Sequence, residues 1–372
     1  MTMDEWRLYK NSDVYKIEQK EIKERNARIK ASREFAKQFS IKNVDKTKKA
    51  YTYSYNIKIP PLAPKRYDFF INGISASIPY DSNIPIEDKN NNITKLIIAI
   101  HSSNHNADMY LTNTATLAKR VAKLDTTLIV APQLLITSLL DDSSNIDFLY
   151  WEVPPFLGSS KAYYDNEKVR VSAFEVLDSL IEDIVRSGNF VNLKDIVIFG
   201  HSAGGQMVNR YAAYSQFPKY GIDVRYIVMA PSSYLYFDKK RFSTSRNQFV
   251  TPNIPSKKYN RWGYGMEKLY SVHKRNHITA RMMRNQYADS EVVYLVGDKD
   301  NNPHDSSLSR RVGANLQGTH RLERAKIYYN YLQYYFGNKI TKKQHLHIVN
   351  NVGHSSKGLM NSKYGRKYLF TK

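Results

Sequence analysis

The feature that most restricts the fold is a series of short apolar runs separated by helix-like segments. The runs are KLIIAI (95–100), TTLIVAP (126–132), DIVIFG (195–200), VRYIVMAP (224–231), EVVYLVG (291–297) and HLHIVNNV (345–352). Strands that lack alternating polar residues are buried on both faces, and their alternation with helices is typical of a parallel sheet. The sequence therefore predicts an α/β fold, with a mostly parallel central sheet and helices on both faces.

The segments between the runs predict the helices. VSAFEVLDSLIEDIVRSG (171–188) is an amphipathic helix closed by a glycine, and further helices are predicted near 107–123, 203–215, 321–337 and 355–368. Residues 66–80 predict two strands joined by a turn at Asn72 and Gly73. Ligands of such sheets bind beyond the carboxyl ends of the strands, which is where the polar motifs of this chain lie.

One of these motifs has the pattern Gly-x-Ser-x-Gly. It lies within IVIFGHSAGGQMVNRYA (196–212), between a predicted strand and a predicted helix. A nucleophilic serine in that context lies on a strained turn, which requires the small neighbours that Gly200 and Gly204 provide. The alternative is a glycine-rich turn without chemistry. The chain has no cysteine, which excludes a cysteine nucleophile, so Ser202 is the predicted nucleophile.

A serine needs a base, and the base needs an acid that orients it. His354 follows the last predicted strand and is the candidate base. Asp300 is the preferred acid because it lies a few residues past the strand 291–297, and Asp298 is the alternative. His345 and His347 form a His-x-His pair, a weak metal signal, and are interpreted as strand residues because no third ligand is visible.

These residues resemble the α/β-hydrolase superfamily of serine hydrolases over residues 67–372, through FGHSAGG (199–205), VGDKD (296–300) and VGHSS (352–356). The likeness is to the esterase-like branch with a Gly-x-Ser-x-Gly-Gly turn. It implies a carboxylic ester hydrolase of class EC 3.1.1 that needs neither metal nor cofactor. Its residues would be Ser202, Asp300 and His354, with the backbone N–H groups of Ala203 and Ser103 as the oxyanion hole.

The sequence departs from that resemblance in the segment His101-Ser102-Ser103. Ser102 stands where the family usually has a glycine, which weakens the assignment of Ser103 to the oxyanion hole. His201 occupies the variable position of the serine motif and is interpreted as structural.

The domain organisation is predicted from changes in composition. Residues 1–57 form a basic, partly helical N-terminal extension, and residues 58–372 form the hydrolase domain, with KIPPLAPKR (58–66) at the boundary. Residues 234–290 are predicted to form a cap inserted between two strands. This segment holds 12 basic and 3 acidic residues and many aromatic side chains, a composition that suits an ester with an anionic or aromatic part.

The charge of the chain supports a second hypothesis. The net charge is +22, and residues 231–372 contribute +18 through 26 basic and 8 acidic residues. A surface of this kind attracts polyanions, so the alternative is a polyanion- or nucleic-acid-binding protein on a hydrolase scaffold, either non-catalytic or with both roles. No transmembrane segment or secretion signal is recognisable, and the expected location is cytoplasmic.

Overall fold

The computed structural model describes residues 61–371, apart from 141–146, 153–154, 159 and 218–219. The N-terminal extension predicted for residues 1–57 lies outside the described residues. In the part of the chain that is described, no helix combines the length and the apolar character needed to cross a membrane.

The described chain contains one large sheet and two small ones. The strands, in chain order, are β1 (Lys65–Ile71), β2 (Ile74–Ser82), β3 (Lys95–Ile100), β4 (Thr127–Pro132), β5 (Leu135–Ile136), β6 (Tyr150–Trp151), β7 (Ala162–Tyr164), β8 (Glu167–Val169), β9 (Asp195–His201), β10 (Asp223–Met229), β11 (Arg241–Ser243), β12 (Gln248–Val250), β13 (Glu291–Gly297) and β14 (Gln344–Val349). The large sheet has eight strands in the order β1-β2-β4-β3-β9-β10-β13-β14.

The large sheet is parallel except at one end. β1 and β2 form an antiparallel pair around the turn at Asn72 and Gly73, and β2 runs antiparallel to β4. From β4 to β14 every neighbouring pair is parallel. Every residue of β3, β4 and β9 is buried, which explains why these strands appear in the sequence as unbroken apolar runs. The predicted α/β architecture is confirmed.

Helices connect the parallel strands. They are α1 (Ala107–Arg120), α2 (Ala173–Arg186), α3 (Ala203–Tyr214), α4 (Ser271–Arg275), α5 (Ala280–Asp289), α6 (Val312–Asn315), α7 (Arg321–Phe336), α8 (Ser356–Asn361) and α9 (Lys363–Phe370). The single helix expected over 355–368 is two, because Ser362 interrupts it and its side chain accepts a hydrogen bond from the N–H of Gly365 as the N-cap of α9.

Two segments have more regular structure than their sequences indicate. Residues 133–168 contain the four-stranded sheet β5-β6-β7-β8, and residues 234–290 contain the hairpin β11-β12, α4 and α5. The strands of these small sheets are two or three residues long, which is too short for a periodic pattern to be recognisable in the sequence. Whether residues 234–290 act as a cap stays a prediction.

Candidate active site

The turn that carries Ser202 has the strained backbone expected of a nucleophile elbow, a name used here for residues 200–204. Ser202 has φ of 56° and ψ of −114°, a backbone conformation that residues other than glycine rarely adopt. Its backbone N–H donates to the carbonyl of Met229, 2.9 Å away, at the end of β10. The strain therefore persists because the surrounding sheet holds the turn in place.

Three glycines allow the elbow to pack against the sheet. A Cβ on Gly200 would collide with the backbone of Gly204. A Cβ on Gly204 would lie 2.5 Å from the carbonyl oxygen of Ile100, and one on Gly205 would lie 2.6 Å from that of Met229. Because these obstacles are backbone atoms, of the elbow itself at Gly200 and of the ends of β3 and β10 at Gly204 and Gly205, no larger residue is tolerated at these positions.

The candidate base and one candidate acid are in direct contact. Nδ1–H of His354 donates to Oδ2 of Asp300 across 2.8 Å, and Asp300 is only 5% exposed. The carboxylate of Asp298 faces elsewhere and accepts a hydrogen bond from the N–H of Val352 at 3.3 Å. The loops after β13 and β14 are joined by the N–H of Lys299, which donates to the carbonyl of Val352. The geometry thus favours Asp300 over Asp298 as the partner of His354.

His201, within the elbow, contacts the candidate base. Its ring lies against the ring of His354, with centroids 4.4 Å apart, and it precedes Ser202 in the chain. Burial, followed by the neighbouring His354 and Arg321, lowers the pKa of His201 well below its usual value, so this imidazole is neutral. A neutral, buried ring that packs on another residue agrees with the structural role expected for His201.

Arg321 was not recognised in the sequence as a site residue. It is the first residue of α7, its side chain is 1% exposed, and Nη1–H donates to Oδ1 of Asp300 at 3.3 Å. One weak signal was present: a cation in the first turn of a helix is unfavourable by about 0.3–1 kcal/mol, and an acidic partner elsewhere would offset this. The partner's identity depends on tertiary contacts.

The loop of residues 101–106, called the oxyanion loop here after its predicted role, is held by two buried histidines. Nδ1–H of His101 donates to the carbonyl of Ser102, while its Nε2 accepts the N–H of Leu134 at 2.9 Å. His105 has φ of 54°, and its Nδ1–H donates to the carbonyl of Leu134 at 2.6 Å. The two bonds of His101 need one donating and one accepting ring nitrogen, so this imidazole is neutral. Burial lowers the pKa of His105 to about 4, so this ring is neutral at pH 7 as well.

The oxyanion loop also contacts the elbow. The carbonyl of His101 would lie 2.6 Å from a Cβ on Gly204, so the two backbones are closely packed. Ser103 lies exposed in the turn after β3, and Ala203 begins α3. The structure thus brings the segment of each candidate oxyanion donor to one place, while the role of their N–H groups stays a prediction.

We expect the protein to lose stability as the pH falls below 6.5, the ordinary pKa of histidine. Burial is the largest cause that lowers the pKa of His101 to about 3 and of His105 to about 4. Below pH 6.5 the unfolded chain therefore binds protons at these two histidines that the folded chain does not bind. Their contribution to stability is fully present above pH 6.5 and declines toward pH 4. At pH 5 the free energy of unfolding is lower by about 2 kcal/mol for each of these histidines, because the unfolded chain protonates it.

Urea unfolding at pH 7 and pH 5 measures this loss. His105→Asn is the matched variant, because asparagine tolerates a positive φ and offers an amide donor without titrating. The decrease between the two pH values should be smaller in His105→Asn by about 2 kcal/mol. An equal decrease in both proteins would show that His105 is protonated in the folded state or does not titrate between them.

The pair His345 and His347 lies away from this site. Both are on the edge strand β14, in register with residues of β13. His347 stacks on Tyr364 with centroids 4.0 Å apart and its Nε2 lies 3.0 Å from the hydroxyl of Tyr368. Within the described ranges, no group of three or more histidine, aspartate or glutamate side chains is arranged to hold a metal ion. The two histidines are strand residues, as the sequence indicated.

The start of the predicted cap is packed into the core. Tyr234, Leu235, Tyr236 and Phe237 are at most 2% exposed. Arg210 of α3, which is fully buried, donates to the carbonyl oxygens of Ser233 and Gly263. Arg241, which is buried as well, donates to four carbonyl oxygens, those of Asp238, Lys240, Tyr259 and Tyr264. Arg210 therefore fixes the backbone of this segment against the helix that follows the elbow, and Arg241 joins parts of the segment to one another.

Comparison with known proteins gives likenesses in structure alone. No model of a protein family matches the sequence, and no curated protein does. Among solved structures, poly(aspartic acid) hydrolase-1 from Sphingomonas sp. KT-1 is similar, with a TM-score of 0.53, 19% identity, and coverage of 83% of this chain and 99% of that one. The poly(3-hydroxybutyrate) depolymerase LpqC from Bordetella parapertussis has a TM-score of 0.55, 18% identity, and coverage of 82% and 89%. Together with the strand order, these likenesses show that the chain has the α/β-hydrolase fold.

Proposed function

We propose that this protein is a serine hydrolase that cleaves carboxylic esters, with Ser202 as nucleophile, His354 as base and Asp300 as acid. The observation that carries the proposal is the combination of a strained serine with a histidine that is already oriented by a buried carboxylate. A structural glycine turn has no need of positive φ at its serine, nor of a histidine that is oriented by a buried carboxylate and packs on the residue before that serine.

In the proposed reaction the hydroxyl of Ser202 attacks the ester carbonyl while His354 takes its proton through Nε2. The backbone N–H groups of Ala203 and Ser103 stabilise the negative oxygen of the tetrahedral intermediate. His354 returns the proton to the leaving alcohol, and an acyl-enzyme remains. His354 then activates a water molecule that releases the acid and restores Ser202. Asp300 holds the imidazole in the required tautomer throughout.

The choice of esters within acyl transfer rests on the resemblance of the FGHSAGG segment to the esterase-like branch. The names of the two structural neighbours, a hydrolase and a depolymerase, agree with a hydrolytic reaction. Thioesters, amides and acyl transfer to an alcohol employ the same residues, so the ester class is part of the proposal. The excess of basic residues in 234–290 favours esters with an anionic group.

A second candidate function is binding of a polyanion such as nucleic acid. The net charge of +18 in residues 231–372 is the observation that favours it. This binding should weaken steeply as salt rises and should not depend on Ser202, whereas hydrolysis should depend on Ser202 entirely. The two functions are therefore separable in a single pair of proteins, the wild type and Ser202→Ala.

Labelling with a fluorophosphonate tests the proposed function. In this reaction the Oγ–P bond forms, the P–F bond breaks, fluoride leaves and the proton of Ser202 passes to His354. We expect one adduct, on the peptide that contains Ser202, and none in Ser202→Ala, whose circular dichroism should match the wild type. A folded wild type that stays unlabelled would contradict the enzyme, and a salt-dependent nucleic-acid titration would then test the second candidate.

A further inference from the structure

The candidate acid is held from both sides. One carboxylate oxygen of Asp300 accepts from His354, and the other accepts from Arg321, whose side chain is 1% exposed. The second arm of the same guanidinium donates to Asp305 at 3.3 Å and to the hydroxyl of Ser307 at 2.8 Å. Arg321 is thus the buried link between the acid and the loop that follows it.

We propose that Arg321 is a positioning residue of the active site, which fixes the orientation of Asp300 and sets the pH range in which His354 acts as a base. The inference rests on the proposed function, because it assigns Arg321 a task in the reaction of Ser202. Its two parts have different physical origins: the planar fork of the guanidinium fixes direction, and its positive charge sets the electrostatic potential at the base.

The positional part follows from the geometry of the carboxylate. Asp300 is nearly fully buried, and a carboxylate in such a place needs a hydrogen bond on each oxygen. With Oδ1 held by Arg321, Oδ2 is directed at Nδ1 of His354. Without the fork, the carboxylate can rotate about its terminal torsion, which is broad, and the orientation of His354 is then less restricted.

The electrostatic part follows from the charges around the base. Asp300 and Asp305 stabilise the imidazolium of His354, and the charge of Arg321 opposes it. Burial tends to raise the pKa of Asp305, but hydrogen bonds from Ser307 and the charge of Arg321 outweigh it, so Asp305 is ionised and its pKa is lowered. The two carboxylates and Arg321 together carry a net charge of −1.

Four other features face this cluster: two are neutral, and two are positive and offset its net negative charge. His201 is neutral because burial lowers its pKa, and burial raises the pKa of Tyr234, which faces Asp300, so this phenol is neutral as well. Arg324 adds a second positive charge next to Arg321, and the N–H of Leu322 in the first turn of α7 donates to the carbonyl of Asp300. Arg324 and the helix dipole oppose the imidazolium as Arg321 does.

Charge and shape can be separated by substitution. Arg321→Lys keeps the charge and loses the fork, whereas Arg321→Met loses both. Asp305→Asn removes a negative charge at a side chain that is 30% exposed and leaves Arg321 bound to Asp300. The double variant Arg321→Met with Asp305→Asn removes one charge of each sign and leaves no unpaired charge at position 305. It replaces Arg321→Met in the comparison if that single variant fails to fold.

The measurement is the pH dependence of two rates: fluorophosphonate labelling of Ser202, followed by intact mass, and kcat/KM for p-nitrophenyl acetate. The acidic limb of each profile reports protonation of the free enzyme's base. Arg321→Met should move this limb upward by roughly one pH unit, and Asp305→Asn should move it downward. Arg321→Lys should keep the limb near the wild-type position while its rate at the plateau falls about tenfold. The double variant should lie near the wild type in pH and near Arg321→Lys in rate.

A purely structural arginine would lower stability and the amount of active enzyme without moving either limb. Limbs that coincide in all folded variants, or an upward shift in Asp305→Asn, would overturn the inference. If the wild type is labelled but the limbs of the variants do not move, only the role of Arg321 is refuted. If the wild type is not labelled, the proposed function itself is refuted. The two failures are therefore distinguishable.

Discussion

Asp300→Asn is expected to lower kcat/KM about 10⁴-fold, the size of effect that the loss of a triad carboxylate produces in serine hydrolases. The carboxylate accepts Nδ1–H of His354 at 2.8 Å and thereby leaves Nε2 free to take the proton of Ser202. An asparagine whose NH₂ faces His354 stabilises the opposite tautomer, in which Nε2 carries the hydrogen. Steady-state kinetics on a p-nitrophenyl ester measure the loss, and urea unfolding shows whether the variant is folded.

Asp298→Asn is the matched control, because it makes the same chemical change two residues earlier in the same loop. Asp298 accepts the N–H of Val352, and the amide oxygen of asparagine can accept that hydrogen bond equally well. We expect kcat/KM within about threefold of the wild type, since no contact with His354 is removed. If Asp298→Asn were the more damaging change, the acid assigned to His354 would be wrong.

Gly204→Ala is expected to destabilise the protein by about 3 kcal/mol and to abolish labelling of Ser202 in the protein that remains folded. The added methyl group would lie 2.5 Å from the carbonyl oxygen of Ile100 and 2.6 Å from that of His101. Both are backbone atoms at the end of a central strand, so neither can rotate away. Relief requires the elbow and the oxyanion loop to separate, and this displaces Ala203 from Ser103.

Gly353→Ala is the control for the added methyl group. A Cβ at Gly353 would have its nearest neighbour, the carbonyl oxygen of Lys299, at 4.0 Å, and its φ is not in the left-handed region. Urea unfolding should place Gly353→Ala within about 0.5 kcal/mol of the wild type. A Gly204→Ala protein as stable as Gly353→Ala would mean that the elbow and the oxyanion loop are not packed as closely as described.

The sequence was most informative where a local pattern is enough. Continuous apolar runs predicted the buried parallel strands, and the strand-serine-helix order predicted the position of the elbow. Asp298 and Asp300 could not be separated in the same way, because both follow the same strand and either is within reach of a loop turn. The hydrogen bond to His354 distinguishes them, and it depends on how the loops after β13 and β14 pack together.

The sequence alone therefore determined the α/β architecture, the chain order of the eight strands of the large sheet, and the candidate residues Ser202 and His354, since periodicity and motif order are local properties. Only the tertiary structure decided which carboxylate faces the base, that Arg321 binds that carboxylate, and that His101 and His105 are neutral and hold the oxyanion loop. The physical reason is that hydrogen-bond partners and burial depend on residues distant in the chain: Arg321 meets Asp300 across 21 positions, and His354 meets it across 54.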